Sequence, residues 1–147
     1  MKVKIKRNDT TLPLPIYHTK GAVGFDFYCR KDLIIPAHDL GKIPLNYCIE
    51  TPEGYMLMVC SRGSTAFKKG LMPAHGVGIG DWDFRGDSNE YVFPVYNFTD
   101  SPVTVKRGER IAQGIFIKID RAIWDEVGSM QSGDRGSFGS TGGYGEK

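Results

Sequence analysis

The apolar residues of this chain come in short runs, and turn residues separate almost every run from the next. VKIKR near the start alternates with period two. GFDFYC, DLIIP, YMLMVC, YVFPVYNF and RIAQGIFIKI come after it, each brief and rich in β-branched or aromatic residues. Between them stand Pro52-Glu53-Gly54, Arg85-Gly86-Asp87, Asp100-Ser101-Pro102 and Arg107-Gly108, which suit tight reversals. Many short strands at such intervals favour antiparallel pairing. The expected fold is all-β, a jelly-roll-like barrel of antiparallel strands. SRGSTAFKKGL, residues 61–71, departs from the pattern. Ser61 or Ser64 can cap a helix there and Gly70 can stop it, so one short helix of one to three turns is expected.

The chain has 147 residues, enough for one domain with a modest core. The strand pattern stops near Gln131. Residues 1–131 are read as the barrel domain and residues 132–147 as a flexible, glycine-rich C-terminal arm, either frayed or docked. A net charge of +2 is too balanced for a dedicated nucleic-acid surface, while leaving room for a small anion held by local cations. No apolar run is long enough to span a bilayer, and no signal peptide is expected. Cys29, Cys48 and Cys60 are odd in number and widely spaced, so they are expected in the core and not in disulfides. That implies a cytoplasmic setting, or host cytoplasm or nucleus if the source is viral. His18, His38 and His75 are scattered and give no zinc-site spacing.

Four segments carry chemistry. In GVGIGDWDFRGD, residues 76–87, Gly76, Gly78 and Gly80 alternate with apolar residues, so a ligand can approach the backbone closely. Asp81 and Asp83 come next, two apart, and on an extended strand would face one side. The same segment also fits a plain hairpin arm with a polar tip. In SRGSTAFKKG, Arg62 sits at a strand-to-helix junction beside hydroxyls and amides, a setting that suits phosphate, though it equally fits an ordinary helix start. In RGERIAQGIF, Gln113 is an amide inside an apolar strand and needs a partner, either a ligand or a neighbouring backbone. In RGSFGSTGGYG, Arg135, Ser140 and Thr141 can grip anions and Phe138 can stack on a ring.

Together these segments resemble, in order, the five motifs of the homotrimeric dUTP pyrophosphatase (dUTPase) family. GAVGFDFYCRKD matches the first, with Asp26 at its acidic position; SRGSTAFKKGL matches the second loosely; GVGIGDWDFRGD matches the third, RGERIAQGIF the fourth and RGSFGSTG the fifth. The similarity runs from about Gly21 to Gly142. The resemblance implies a homotrimer with three shared active sites. Each site takes a uracil-reading hairpin from one subunit, phosphate contacts from a second and the arm from the third. Sixteen extended residues reach about 50 Å, enough to cross a subunit boundary.

The implied reaction is hydrolysis of dUTP to dUMP and pyrophosphate, assisted by Mg2+. By resemblance, Asp81 is the general base that activates water against the α-phosphorus. Arg62, Gly63, Ser64, Gln113, Arg135, Gly139, Ser140 and Thr141 belong to the substrate contacts. The backbone of Gly76, Gly78, Ile79 and Gly80 reads uracil, Phe84 packs on the deoxyribose and Phe138 stacks on the base. The metal is held mainly by triphosphate oxygens and water, with Asp26 touching it through water only.

Several positions depart from the family pattern. Gly63 stands where a serine is usual, removing a hydroxyl expected near the oxygen bridging the α- and β-phosphates, and Ser64 is the nearest substitute. Gly80 replaces a branched residue before Asp81 and is expected to loosen that strand. Phe84 replaces a tyrosine, His75 an asparagine, and the fifth motif is short by about two residues. Two other readings stay in view: a non-catalytic trimer that binds dUTP or dUMP and regulates a partner, and a relative of the dCTP deaminases.

Overall fold

The computed structural model describes residues 1–136. Eleven strands and one helix account for its regular structure. The strands are β1 (Ile5–Arg7), β2 (Phe25–Tyr28), β3 (Leu33–Ile35), β4 (Leu40–Pro44), β5 (Tyr47–Ile49), β6 (Tyr55–Ser61), β7 (Leu71–Pro73), β8 (Gly78–Gly80), β9 (Val92–Asn97), β10 (Val103–Val105) and β11 (Arg110–Lys118). All pairings are antiparallel. A four-stranded sheet runs in the order β2-β11-β6-β8 and a three-stranded sheet in the order β4-β9-β7; the pairs β1-β5 and β10-β3 complete a jelly-roll-like fold.

The runs read as strands form strands, and the turns fall where glycine and proline placed them. Tyr55 N–H donates to Pro52 C=O at 3.1 Å, with Gly54 at φ 79°, and Glu109 N–H donates to Lys106 C=O at 3.0 Å, with Gly108 at φ 78°. Helix α1 (Thr65–Lys69) is five residues long. Gly70 ends it in the left-handed region at φ 66°, its N–H donating to Ala66 C=O at 2.9 Å. Ser64 holds the N-cap position, but its side chain makes no capping hydrogen bond.

The core lies between the two main sheets. Phe25, Phe27, Leu57 and Val59 from one meet Ile43, Leu71, Phe93 and Val95 from the other, with Tyr47 and Ile35 in the same cluster. Cys29 and Cys48 are buried and Cys60 is half-buried; all three are free thiols, and burial pushes each of them up. Pro94 sits within β9, where a proline normally forfeits a ladder bond. Its carbonyl accepts from Ala74 N–H at 3.0 Å, so its nitrogen faces the same side, where β7 has already ended at Pro73. The missing donor therefore costs no strand pairing.

In the four-stranded sheet, β11 pairs with β2 through a register shift: Arg110 opposes Tyr28, yet Ala112 opposes Phe27. Ile111 is thus an extra residue, a bulge. Beyond β11, residues 120–136 are exposed in the single chain and carry no regular structure. Among the described residues no helix is long and apolar enough to cross a membrane.

Candidate functional site

The bulge decides which side chains share a face. Arg110 and Gln113 are three apart and would point to opposite faces of a regular strand. The extra residue at Ile111 turns Arg110 to the side of Gln113. Gln113 stands directly opposite Asp26 on β2 and Cys60 on β6, next to Ser61 and Arg62. Asp26, Arg62, Arg110 and Gln113 therefore converge on one end of the outer face.

Their hydrogen bonds tie them into one unit. Arg62 Nε donates to Asp26 Oδ1 at 2.9 Å and Arg62 Nη1 to the Arg110 carbonyl at 3.2 Å. Arg110 Nη1 donates to Asp26 Oδ2 at 3.2 Å and lies 2.7 Å from His18 Nε2, which is itself 3.1 Å from Asp26 Oδ2. Gln113 Nε2 donates to the Ser61 carbonyl at 3.0 Å, so the amide's partner is a neighbouring backbone. Room for that side chain comes from Gly24, where a Cβ would lie 2.9 Å from Gln113 Oε1. Asp26 is 7% exposed and faces two guanidinium groups, which leaves the cluster with excess positive charge. Lys68 extends it across a pocket of about 260 Å³, in which Lys69 is paired with Glu109 at 2.8 Å. The side chains supply this attraction for anions. A five-residue helix carries little macrodipole, and the amide of Thr65 is already donated to Arg62 C=O at 3.0 Å. Gly63 is exposed, and a Cβ there would meet nothing within 4 Å.

A second constellation lies at the far edge of the sheet. Gly76 takes φ 75° and turns the chain into β8, so that Gly78, Ile79 and Gly80 pair with Val59, Met58 and Leu57. Val59, Gly78, Ile79 and Gly80, with Asp81, Phe84 and Tyr91, line a pocket of about 530 Å³. β8 ends at Gly80, and Asp81 starts a turn in which Phe84 N–H donates to Asp81 C=O at 3.1 Å and Arg85 N–H to Asp83 C=O at 3.0 Å. Asp81 and Asp83 thus do not lie on one extended strand, because the chain reverses between them. Asp81 is exposed, and its carboxylate makes no hydrogen bond or ion pair among the described residues. Phe84 packs edge-on against Tyr91, with ring centroids 5.3 Å apart at 79°. Trp82 carries Arg85 over its ring at 5.7 Å.

Within one chain the two constellations stay apart. Gly80 opposes Leu57 on β6, and Arg62 lies five residues beyond Leu57. Five strand residues cover about 16 Å. Asp26 lies three strands across from β8, about 14 Å in the direction perpendicular to the strands. Arg135 is exposed on the unstructured segment. Phe138, Gly139, Ser140 and Thr141 lie outside the described residues.

Arg110, His18 and Tyr91 were not singled out by sequence reasoning. The register shift and long-range packing bring them to the site, and neither can be read from local spacing. As for a metal, the described residues contain no group of three or more His, Cys, Asp or Glu side chains placed to hold an ion. Of the roughly four acceptor positions on the Asp26 carboxylate, its neighbours occupy about three. The remaining position fits one contact to a hydrated ion carried by a ligand's own oxygens.

Comparison with known proteins places this architecture. A profile of the dUTPase family matches residues 10–142. A deoxyuridine 5'-triphosphate nucleotidohydrolase from Dictyoglomus turgidum is 37% identical, over 97% of this chain and 99% of its own. Among solved structures, the dUTPase of Staphylococcus bacteriophage 80alpha with dUPNHPP superposes with a TM-score of 0.84 at 19% identity, covering 96% of this chain and 98% of that one. A mutant dUTPase from phage phi11 of S. aureus, which coordinates a structural Mg(II) ion, gives a TM-score of 0.78 at 14% identity, covering 90% and 100%. With a family profile matched over most of its length and a full-length relative above 30% identity, this chain belongs to the dUTPase family.

Proposed function

We propose that this dUTP diphosphatase works at sites shared between three copies of the chain, with Asp81 of one copy as general base against a triphosphate held by the Asp26–Arg62–Arg110–Gln113 cluster of another. Hydrolysis of dUTP goes with membership of the dUTPase family. The observation that carries the shared site is the separation within one chain: Asp81 and the cationic cluster stand at opposite corners of the four-stranded sheet, too far apart to meet one α-phosphorus. The outer face of that sheet supports close approach of another copy. Met56, Met58, Cys60, Ile115 and Ile117 are half-buried there and Ile79 is 63% exposed, although the opposite face is already packed in the core. An antiparallel sheet apolar on both faces needs cover on both.

In this reading uracil enters the pocket beside β8 and is read by the backbone of Gly76, Gly78, Ile79 and Gly80. Cytosine is rejected because it leaves such groups unpaired, at about 1–3 kcal/mol each. Phe84 supports the deoxyribose. Asp81 orients a water and takes its proton as the water oxygen bonds to the α-phosphorus. The bond from the α-phosphorus to the α,β-bridging oxygen breaks, and pyrophosphate leaves with its electron pair. Positioning supplies much of the acceleration, since a free carboxylate is a weak base. Arg62 and Arg110, fixed by Asp26, place positive charge on the phosphates without reorganising; Gln113 holds the floor between them, with Gly63 and Ser64 beside it. Residues 132–147 form the arm that closes over a neighbour, where Arg135, Ser140 and Thr141 meet phosphates and Phe138, beside Gly139, stacks on the base. Mg2+, when bound with the triphosphate, offsets its charge and favours loss of pyrophosphate, and Asp26 is the residue suited to touch its hydration shell.

The test is release of pyrophosphate from dUTP in Mg2+, run beside dCTP, dTTP and UTP with ammonia monitored. Pyrophosphate from dUTP alone supports the proposal. Ammonia from dCTP would favour the deaminase reading, and binding of dUTP without turnover the regulatory one.

A further inference from the structure

Tyr91 is buried at 5% exposure between the core and the base pocket. Its backbone is tied to the core on both sides: its N–H donates to Tyr47 C=O and its C=O accepts from Leu45 N–H, both at 2.9 Å. Its ring lies 6.2 Å from that of Phe27 on the core side and meets Phe84 edge-on at 5.3 Å on the pocket side. The end of the ring reaches the Cα of Gly80. A Cβ at Gly80 would lie 2.3 Å from Tyr91 Oη, 2.7 Å from Cε1 and 2.8 Å from Cζ. Gly80 is not at positive φ, so its backbone would accept a side chain and only Tyr91 stands in the way. The hydroxyl makes no hydrogen bond of good geometry among the described residues, its polar neighbour being the equally buried Thr51 Oγ1. The contact therefore acts through shape and not through a hydrogen bond.

We infer that Tyr91 is a positioning residue for the reaction: it fills the space beneath Gly80 and sets, from one rigid ring, both the strand end that carries Asp81 and the ring of Phe84. The absent side chain at residue 80 does not loosen this strand end, because a core aromatic occupies the space. The inference rests on the reading of Asp81 as base and deepens it. Displacement of a reacting group by about 1 Å costs up to about a hundredfold in rate, so a methyl group forced between Gly80 and Tyr91 should register in turnover.

The experiment is a double-mutant cycle on the full chain, with kcat and KM for dUTP, thermal midpoint and mass in solution measured for each variant. Gly80→Ala is expected to lower kcat by about tenfold or more while KM moves less than about threefold, the pattern of an interaction used only in the transition state. Adding Tyr91→Leu to Gly80→Ala should restore kcat by at least about threefold, although Tyr91→Leu alone lowers it; such a change of sign marks direct coupling. Tyr91→Phe, which removes only the atom nearest that Cβ, should give a smaller recovery and serves if Tyr91→Leu fails to fold. Wild-type kcat in Gly80→Ala, or losses that simply add, would overturn the inference. Asp81→Asn separates the two levels. If it keeps turnover, the base assignment fails; if it is inactive while Gly80→Ala is not impaired, only the role of Tyr91 fails.

Discussion

Mixing two inactive variants tests whether the site is shared. Asp81→Asn removes the proposed base and Arg62→Ala removes a guanidinium from the cationic cluster, so each protein alone should be inactive or nearly so. Along β6 the two positions lie about 16 Å apart within one chain, and Arg62 is committed further across the sheet by its 2.9 Å bond to Asp26. A complete site then needs Asp81 from one copy and Arg62 from another. In a closed ring of three assembled at random from equal amounts, half the hairpins carry Asp81 and half of their phosphate-side neighbours carry Arg62. About a quarter of the sites are complete, and the mixture should show about a quarter of wild-type kcat per site. The assay is pyrophosphate release from dUTP after co-refolding or co-expression, with each parent as a control. Activity no higher than the parents' would refute the shared site, because a site built within one chain can never be repaired by mixing.

Other expectations come from local geometry. Gly63→Ser meets no atom within 4 Å in one chain, so it should fold normally and raise kcat if the missing hydroxyl limits turnover; equal rates would make that hydroxyl irrelevant. Gly114→Ala would bring a Cβ within 2.6 Å of Phe25 and 2.7 Å of Phe27. Overpacking of this kind costs about 1–3 kcal/mol, or about 3–12 °C for a chain of this size, which calorimetry will read. Asp9 is held down to about 2, from an ordinary 3.8, first by its hydrogen bond from Thr11 and then by Arg107. Its stabilisation is therefore full above about pH 4 and is lost as the pH falls towards 2. Asp9→Asn should flatten that part of the curve of melting temperature against pH.

Much of the fold was legible because it depends on local rules. Gly70 ends the helix by its left-handed backbone, Gly54 and Gly108 turn the chain where a side chain would be strained, and GFDFYC and RIAQGIFIKI carry enough β-branched and aromatic residues to be read as strands. The short strands β4, β5, β7 and β10 left weaker traces, since three to five residues hold too few alternations. The candidate site was legible at Asp26, Asp81, Arg62 and Gln113 as residue types in motif positions. Its wiring was not. The bulge at Ile111 is a register event between strands far apart in sequence, and without it nothing links Arg110 to Gln113. The same holds for His18, which reaches Asp26 from a segment without strand character, and for Asn97. That side chain is fully buried, donates to the carbonyls of Ile35, Pro36 and Ser101, and accepts from Thr99. Gly80 read as a defect because its neighbour in space, Tyr91, is not its neighbour in sequence.

The most direct measurement is turnover and nucleotide affinity of Asp81→Asn beside the wild-type enzyme, with dUTP and Mg2+ at neutral pH. The structure leaves that carboxylate exposed beside the base pocket and without partners among the described residues. The substitution should therefore abolish pyrophosphate release, by a factor of about 10² or more, while dUTP binds with nearly unchanged affinity. A variant that still hydrolyses dUTP at close to the wild-type rate would contradict the account.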